Sequence, residues 1–133
     1  MVCLETTFII DFLRGIEVAV KLMEKVIETS EPIAIAAPTL VEVATGAALA
    51  ESHQEEKNLN ELLTRLTTLP LDQKAALLAG KLQAELIKTG ENIGHVDITI
   101  GAIALANGEK LLTKNIKHFS RIPGLIVEDY SKR

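Results

Sequence analysis

Short, uninterrupted apolar runs alternate with amphipathic stretches from one end of this 133-residue chain to the other. Val2-Cys3-Leu4, Ile33-Ala34-Ile35-Ala36, Thr68-Leu69-Pro70-Leu71, Lys110-Leu111-Leu112-Thr113 and Leu125-Ile126-Val127 are each too short for a helix. Runs of that length without polar alternation are the mark of strands buried on both faces. Between them the apolar residues recur at helical spacing: Phe8, Ile9, Phe12 and Leu13, closed by Gly15, then Val18 to Ile27, with Lys21, Glu24, Lys25 and Glu28 on the wet side and Pro32 as the stop. Pro38-Thr39 opens a third helix with Leu40, Val43, Ala44 and Ala47 on one face. Ser52 to Asn58 is polar and is expected to be exposed, and Leu59, Leu62, Leu63 and Leu66 mark a further amphipathic helix. Asp72 is placed to cap a helix running to Ile87, 90–94 reads as a loop, and Val96 to Ala106 is helical up to Asn107-Gly108. Strands alternating with helices predict an α/β domain: a mainly parallel central sheet of about five short strands, covered by helices on both faces. No linker or internal repeat divides the chain, so residues 1–133 are expected to form one domain.

Composition narrows what such a fold does. Three Phe, one Tyr and no Trp leave an aliphatic core and argue against a surface that stacks bases on aromatic rings. The single cysteine, Cys3, excludes a disulfide framework and a multi-cysteine metal site, reads as a small buried hydrophobe, and fits a reducing compartment. A net charge of −4 argues against a broad basic nucleic-acid surface while leaving room for a local patch. The most apolar stretch, 33–50, is broken by Pro38 and Glu42, so no membrane span is expected. The N-terminus has no basic segment and meets Glu5 at once, unlike a signal peptide. A soluble cytoplasmic protein is the expectation.

Sites in parallel sheets gather at the carboxyl ends of the strands. Glu5, Thr6 and Thr7 follow the first strand, Glu42 lies one turn into the helix after the second, and Thr113, Lys114 and Asn115 end the fourth. Asp97 opens the helix before the fourth strand. Each acid also has a structural reading: Glu5 as a residue favoured by its helix N-terminus, Glu42 as a solvated face residue, Asp97 as a partner of its own helix start. Asp11 reads as a surface or capping acid, and His95 and His118 as surface residues. If the three acids converge, their repulsion is roughly 4 kcal/mol per pair at ~4 Å and an effective dielectric near 20, which calls for a cation. A hard divalent ion with oxygen ligands, Mg²⁺ or Mn²⁺, suits them; zinc does not, because no His or Cys pair has ligand spacing.

Four blocks together resemble the PIN-domain family. Val-Cys-Leu-Glu-Thr-Thr-Phe-Ile-Ile-Asp-Phe-Leu-Arg-Gly at 2–15 is similar to its opening, and Thr-Leu-Val-Glu-Val-Ala-Thr-Gly-Ala at 39–47 to its second block. His-Val-Asp-Ile-Thr-Ile-Gly-Ala-Ile-Ala-Leu-Ala-Asn-Gly at 95–108 resembles the third. Leu-Thr-Lys-Asn-Ile-Lys-His-Phe at 112–119, with Ile-Pro-Gly-Leu-Ile-Val-Glu-Asp-Tyr ending at Tyr130, resembles the fourth block and closing strand. The size and ending look most like the VapC-type toxins of toxin–antitoxin pairs. The resemblance implies a three-layer α/β/α sandwich and a metal-dependent endoribonuclease leaving 5′-phosphate and 3′-hydroxyl ends. Glu5, Glu42 and Asp97 would hold Mg²⁺ or Mn²⁺, with Asn115 as the fourth polar member and Thr6 and Thr113 as hydroxyl supports. Two positions depart from the family. Glu5 stands where Asp is usual, adding a reach of about 1.5 Å. Asn115 stands where many members have Asp, leaving three negative charges rather than four.

The resemblance further implies an RNA substrate, a cognate antitoxin protein and a homodimer. The last 24 residues carry a net charge of +4 against −8 for the rest, so Lys114, Lys117 and Arg121 are candidate RNA contacts beside an acidic cleft. The competing expectation is a catalytically impaired PIN-fold binding module that keeps its protein contacts, prompted by Glu5. A receiver-like phosphoacceptor is disfavoured, because Asp72 reads as a helix cap, and a nucleotide-binding enzyme lacks its Gly-rich loop.

Overall fold

The structure, a computed structural model, describes residues 1–132. Its strands are β1 (Val2–Leu4), β2 (Ile33–Ala36), β3 (Thr67–Leu69), β4 (Lys110–Thr113) and β5 (Val127–Asp129). Its helices are α1 (Thr6–Leu13), α2 (Glu17–Glu28), α3 (Ala37–Leu49), α4 (His53–Leu63), α5 (Gln73–Thr89), α6 (His95–Ala106) and α7 (Ile116–Phe119), and a 3₁₀ turn, Tyr130–Lys132, closes the described chain. The strands form one sheet in the order β3-β2-β1-β4-β5, with every pairing parallel.

Side-chain alternation along the strands builds two cores. Cys3, Ala34, Ala36 and Leu111 face α5 and α6, packing against Leu82, Leu86, Ile98 and Ile103. Val2, Leu4, Ile33, Ile35 and Leu112 face the other way, onto Phe8, Leu22, Met23, Leu59 and Tyr130. The expected three-layer sandwich is therefore realised, with an almost wholly aliphatic interior. Burial pushes the Cys3 thiol up to about 12, with the charge of Glu109 adding to the effect, so it stays protonated as a small apolar filler. At Gly101 in α6 an added Cβ would stand 2.2 Å from Ile122 Cδ1, so the Ile122 side chain occupies the space that the glycine leaves open.

The central strands sit where their apolar runs predict, and the edges differ. β3 covers Thr67–Leu69 rather than starting at Thr68 and reaching Leu71. Pro70 has no N–H for the ladder, and the pairing ends with Leu69 opposite Ala36. β5 is displaced from the apolar run 125–127 to Val127–Asp129, which pairs with Leu111, Leu112 and Thr113. The preceding turn decides this register: Leu125 N–H reaches Ile122 O at 3.4 Å, Gly124 adopts φ +83°, and Ile126 is left exposed. α4 begins at His53, six residues before the first leucine of its stripe, and stops short of Leu66. The polar run is its outer face, capped by the Ser52 hydroxyl accepting from Glu55 N–H at 3.3 Å. Asp72 caps α5 as expected, accepting from Ala75 N–H at 2.9 Å. No described helix is long and apolar enough to cross a membrane.

Candidate metal centre at the carboxyl edge of the sheet

β1 and β4 lie side by side at the centre of the sheet and end at the same edge, with Leu4 opposite Leu112. Beyond them the chain delivers Glu5 and Thr113 to one spot. Glu5 is the N-cap of α1, in an extended conformation that turns its side chain back over the first helical turn. Its Oε1 accepts three hydrogen bonds: from Thr7 N–H at 3.2 Å, from the Thr7 hydroxyl at 2.7 Å, and from the Thr113 hydroxyl at very short range. Glu5 is only 3% exposed. Burial pushes its carboxyl above the ordinary carboxylate range, and the negative charge of Asp97 adds to this. The Thr113 and Thr7 donors work in the opposite direction without cancelling it.

The cluster extends both ways. On one side the Thr6 hydroxyl donates to Glu42 Oε1 at 2.7 Å and lies 3.3 Å from the Thr39 hydroxyl. Glu42 itself is exposed. Its helix, α3, packs against both α1 and α6, which brings it between the segments that carry Glu5 and Asp97. On the other side Asn115 N–H donates to Thr113 Oγ1 at 2.9 Å, Asn115 Nδ2 lies 3.2 Å from His118 Nδ1, and His118 Nδ1 lies 2.9 Å from Asp97 Oδ2. Glu5, Thr113, Asn115, His118 and Asp97 thus belong to one hydrogen-bonded chain. The Asp97 carboxylate is bonded across to α7 rather than to its own helix start, which is capped by no side chain.

A second, smaller group stands behind Thr7. Asp11 Oδ2 accepts from the Tyr130 O–H at 2.7 Å and from Lys114 Nζ at 3.0 Å, while the Lys114 backbone N–H donates to Thr7 Oγ1 at 3.2 Å. Burial pushes the Asp11 carboxyl up, but the Tyr130 and Lys114 hydrogen bonds and the positive charges of Lys114 and Arg14 pull it down by more. Burial and the Asp11 carboxylate hold the Tyr130 phenol protonated, well above its usual range.

Sequence reasoning named Thr7 after the first strand without a role, read Asp11 and His118 as surface residues, and gave Thr39 and Tyr130 no place in the site. A partial signal existed for His118: it stands three residues after Asn115, which puts the two on one face of a single helical turn. Of the candidate RNA contacts, Lys114 is exposed and paired with Asp11, and Lys117 is exposed. Arg121 reaches back to the carbonyls of Glu91 and Asn92 at 3.2 and 3.4 Å and so caps the loop after α5. In the same basic segment Lys110 pairs with Glu128 at 3.3 Å, and Arg133 lies outside the described residues.

In kind, the donors fit a hard divalent cation: three carboxylates with hydroxyls around them and no thiolate. The charge balance points the same way. Among the described residues neither Glu5 nor Glu42 has an ion-pair partner, and Glu5 feels a like charge. In their present rotamers the carboxylates are turned onto threonine and histidine partners. Among the described residues no three His, Cys, Asp or Glu groups stand close enough together to hold one ion.

An acid-bearing carboxyl edge on an all-parallel five-stranded sheet defines a class of α/β domain. The family model described as PIN domain matches residues 2–125, and the chain belongs to that family. It is 37% identical over 103 residues to Ribonuclease VapC2 of Rickettsia felis, covering 75% of each chain. It is 35% identical over 99 residues to the tRNA(fMet)-specific endonuclease VapC of Salmonella typhimurium, covering 72% of this chain and 74% of that one. Among solved structures it resembles VapBC2 from Rickettsia felis bound to a DNA fragment from their promoter. The TM-score is 0.87 at 30% identity, over 96% of this chain and 98% of that one.

Proposed function

We propose that this chain is a metal-dependent endoribonuclease and the toxin of a type II toxin–antitoxin pair. The observation that carries the reading is the hydrogen-bonded chain from Glu5 through Thr113, Asn115 and His118 to Asp97, with Glu42 held beside it by Thr6. The ribonuclease names of the relatives and the VapBC assembly in the similar structure support it.

Glu5, Glu42 and Asp97 are the residues to hold Mg²⁺ or Mn²⁺, which would supply a Lewis acid for the scissile phosphate and a bound water of lowered pKa. Thr113 and Thr7 fix the direction of the Glu5 carboxylate, and Thr6 does the same for Glu42. Asn115 is the neutral fourth member. Lys114 and Lys117, exposed beside this edge, are placed to meet phosphates flanking the cut. Arg121 contributes charge there while its guanidinium holds the 91–92 loop. An antitoxin segment finds a mixed groove between α2 and α4, where Phe12, Val20, Met23 and Leu62 are flanked by Glu24, Asn58, Glu61 and Arg65. The toxin acts in the cytoplasm as a homodimer.

The test is cleavage of total tRNA, chosen because a relative is named for tRNA(fMet), with Mg²⁺, Mn²⁺ or EDTA. Fragmentation that requires the metal and disappears in Asp97→Ala is the expected result. Cleavage unchanged in Asp97→Ala contradicts the site. The second reading, an impaired binding module, rests on Glu5 standing in place of the usual Asp. It prevails if neither the native chain nor Glu5→Asp binds divalent metal.

A further inference from the structure

The geometry points to His118 as a positioning residue for the reaction: its Nδ1–H fixes the Asp97 carboxylate through Oδ2, so that Oδ1 is the oxygen left for the ion. The inference rests on the metal-centre reading above and gives that centre a residue for which no role has so far been assigned.

Asp97 stands in the first turn of α6, half-buried, and its side chain has a single hydrogen bond among the described residues, the one from His118 at 2.9 Å. An ionised carboxylate only accepts, so the proton in that bond belongs to Nδ1, whether the imidazole is neutral or charged. Once Nδ1 carries a proton it has no lone pair for the Asn115 amide N–H₂, 3.2 Å away. Half a turn of the amide brings Oδ1 to the same place, where it shares that proton. In that state Asn115 braces the imidazole through its oxygen.

The brace is rigid. His118 belongs to α7, whose next residue, Phe119, is fully buried, and Phe119 N–H bonds to Asn115 O at 3.3 Å. Asn115 N–H is in turn anchored on Thr113, the residue that also donates to Glu5. The direction of Asp97 is therefore set by the same strand end that sets Glu5. This is the arrangement in which an outer imidazole orients a ligating carboxylate, and loss of such a partner typically weakens metal affinity or activity by roughly 10–100-fold.

The experiment is a Mn²⁺ titration of the full chain, following the free ion by electron paramagnetic resonance, for the native protein, His118→Leu and His118→Asn. Asn carries an N–H₂ at about the same distance along the side chain as Nδ1. His118→Leu is expected to weaken Mn²⁺ binding by roughly 10–100-fold, and His118→Asn to recover most of that loss. In RNA cleavage at saturating Mn²⁺, His118→Leu should lower kcat and leave KM for RNA nearly unchanged. If His118→Leu does not fold, His118→Gln replaces it, because its amide sits one bond too far out. Equal Mn²⁺ affinity in the native and leucine proteins overturns the proposal and leaves the metal centre standing. So does an asparagine variant as weak as the leucine one. A native chain that binds no Mn²⁺ overturns both.

Discussion

The two ends of the sheet each bury a glutamate, and they treat it in opposite ways. At the amino edge Glu109 precedes β4 and is 8% exposed. It meets the Met1 ammonium at 3.6 Å, and its Oε2 has no hydrogen-bond partner among the described residues. At the carboxyl edge Glu5 is more deeply buried, accepts three hydrogen bonds on one oxygen, faces a like charge and, among the described residues, meets no cation. A buried acid is thus no mark of a site by itself. The marks are donors placed to hold the ionised form in one direction and a second acid that makes an added cation favourable.

Substitution should separate the two ends. Glu5→Gln is expected to lower RNA cleavage by roughly 10²–10³-fold, the scale of losing one preorganised charged group. It should also stabilise the metal-free chain at neutral pH by removing a buried charge, which paired activity and urea-unfolding measurements would register. Thr113→Val leaves Glu5 short of a donor and strips Asn115 N–H of its acceptor; a loss of about 1–3 kcal/mol in unfolding free energy is expected. The same change should raise the Glu5 pKa of the metal-free protein further, because the Thr113 hydrogen bond lowers it.

The pH dependence sharpens the contrast. Because the folded-state pKa of Glu5 is raised, folding takes up a proton between the unfolded and folded values. That contribution to stability is full below the unfolded pKa and is lost as pH rises through the folded one. Urea titrations of metal-free protein across that interval should show the decline in the native chain and its absence in Glu5→Gln. The smallest effect is expected at the other end: Glu109→Gln should leave kcat and KM for RNA unchanged, and a large change in either would mean that the two edges communicate.

How much of this could be read beforehand follows the same division. β1, β2 and β4 are legible because burial on both faces demands unbroken apolar runs, and Glu5 and Glu42, which follow the first two, are legible because a carboxylate among such neighbours needs a reason. The edge strands are less so. β5 owes its register to the Pro123–Gly124 turn and its ladder with β4, and its residues are half-buried, so Leu125 and Ile126 draw the eye to the wrong place. The links between the acids were hidden for another reason. Thr7, Thr113 and His118 matter through contacts with residues 2 to 108 positions away, and no local pattern in a threonine or a four-residue helix announces such a partner. Lys114 shows the same blindness: its charge was visible, while its pairing with Asp11 was not.

Diffraction from crystals soaked in Mn²⁺, read from the anomalous signal of the ion, addresses the shared-ion claim directly. One peak among the carboxylates of Glu5, Glu42 and Asp97, with Glu42 and Asp97 turned toward it, is the predicted result. Saturating Mn²⁺ that leaves this edge of the sheet without a peak, or a peak that touches none of the three, would contradict it.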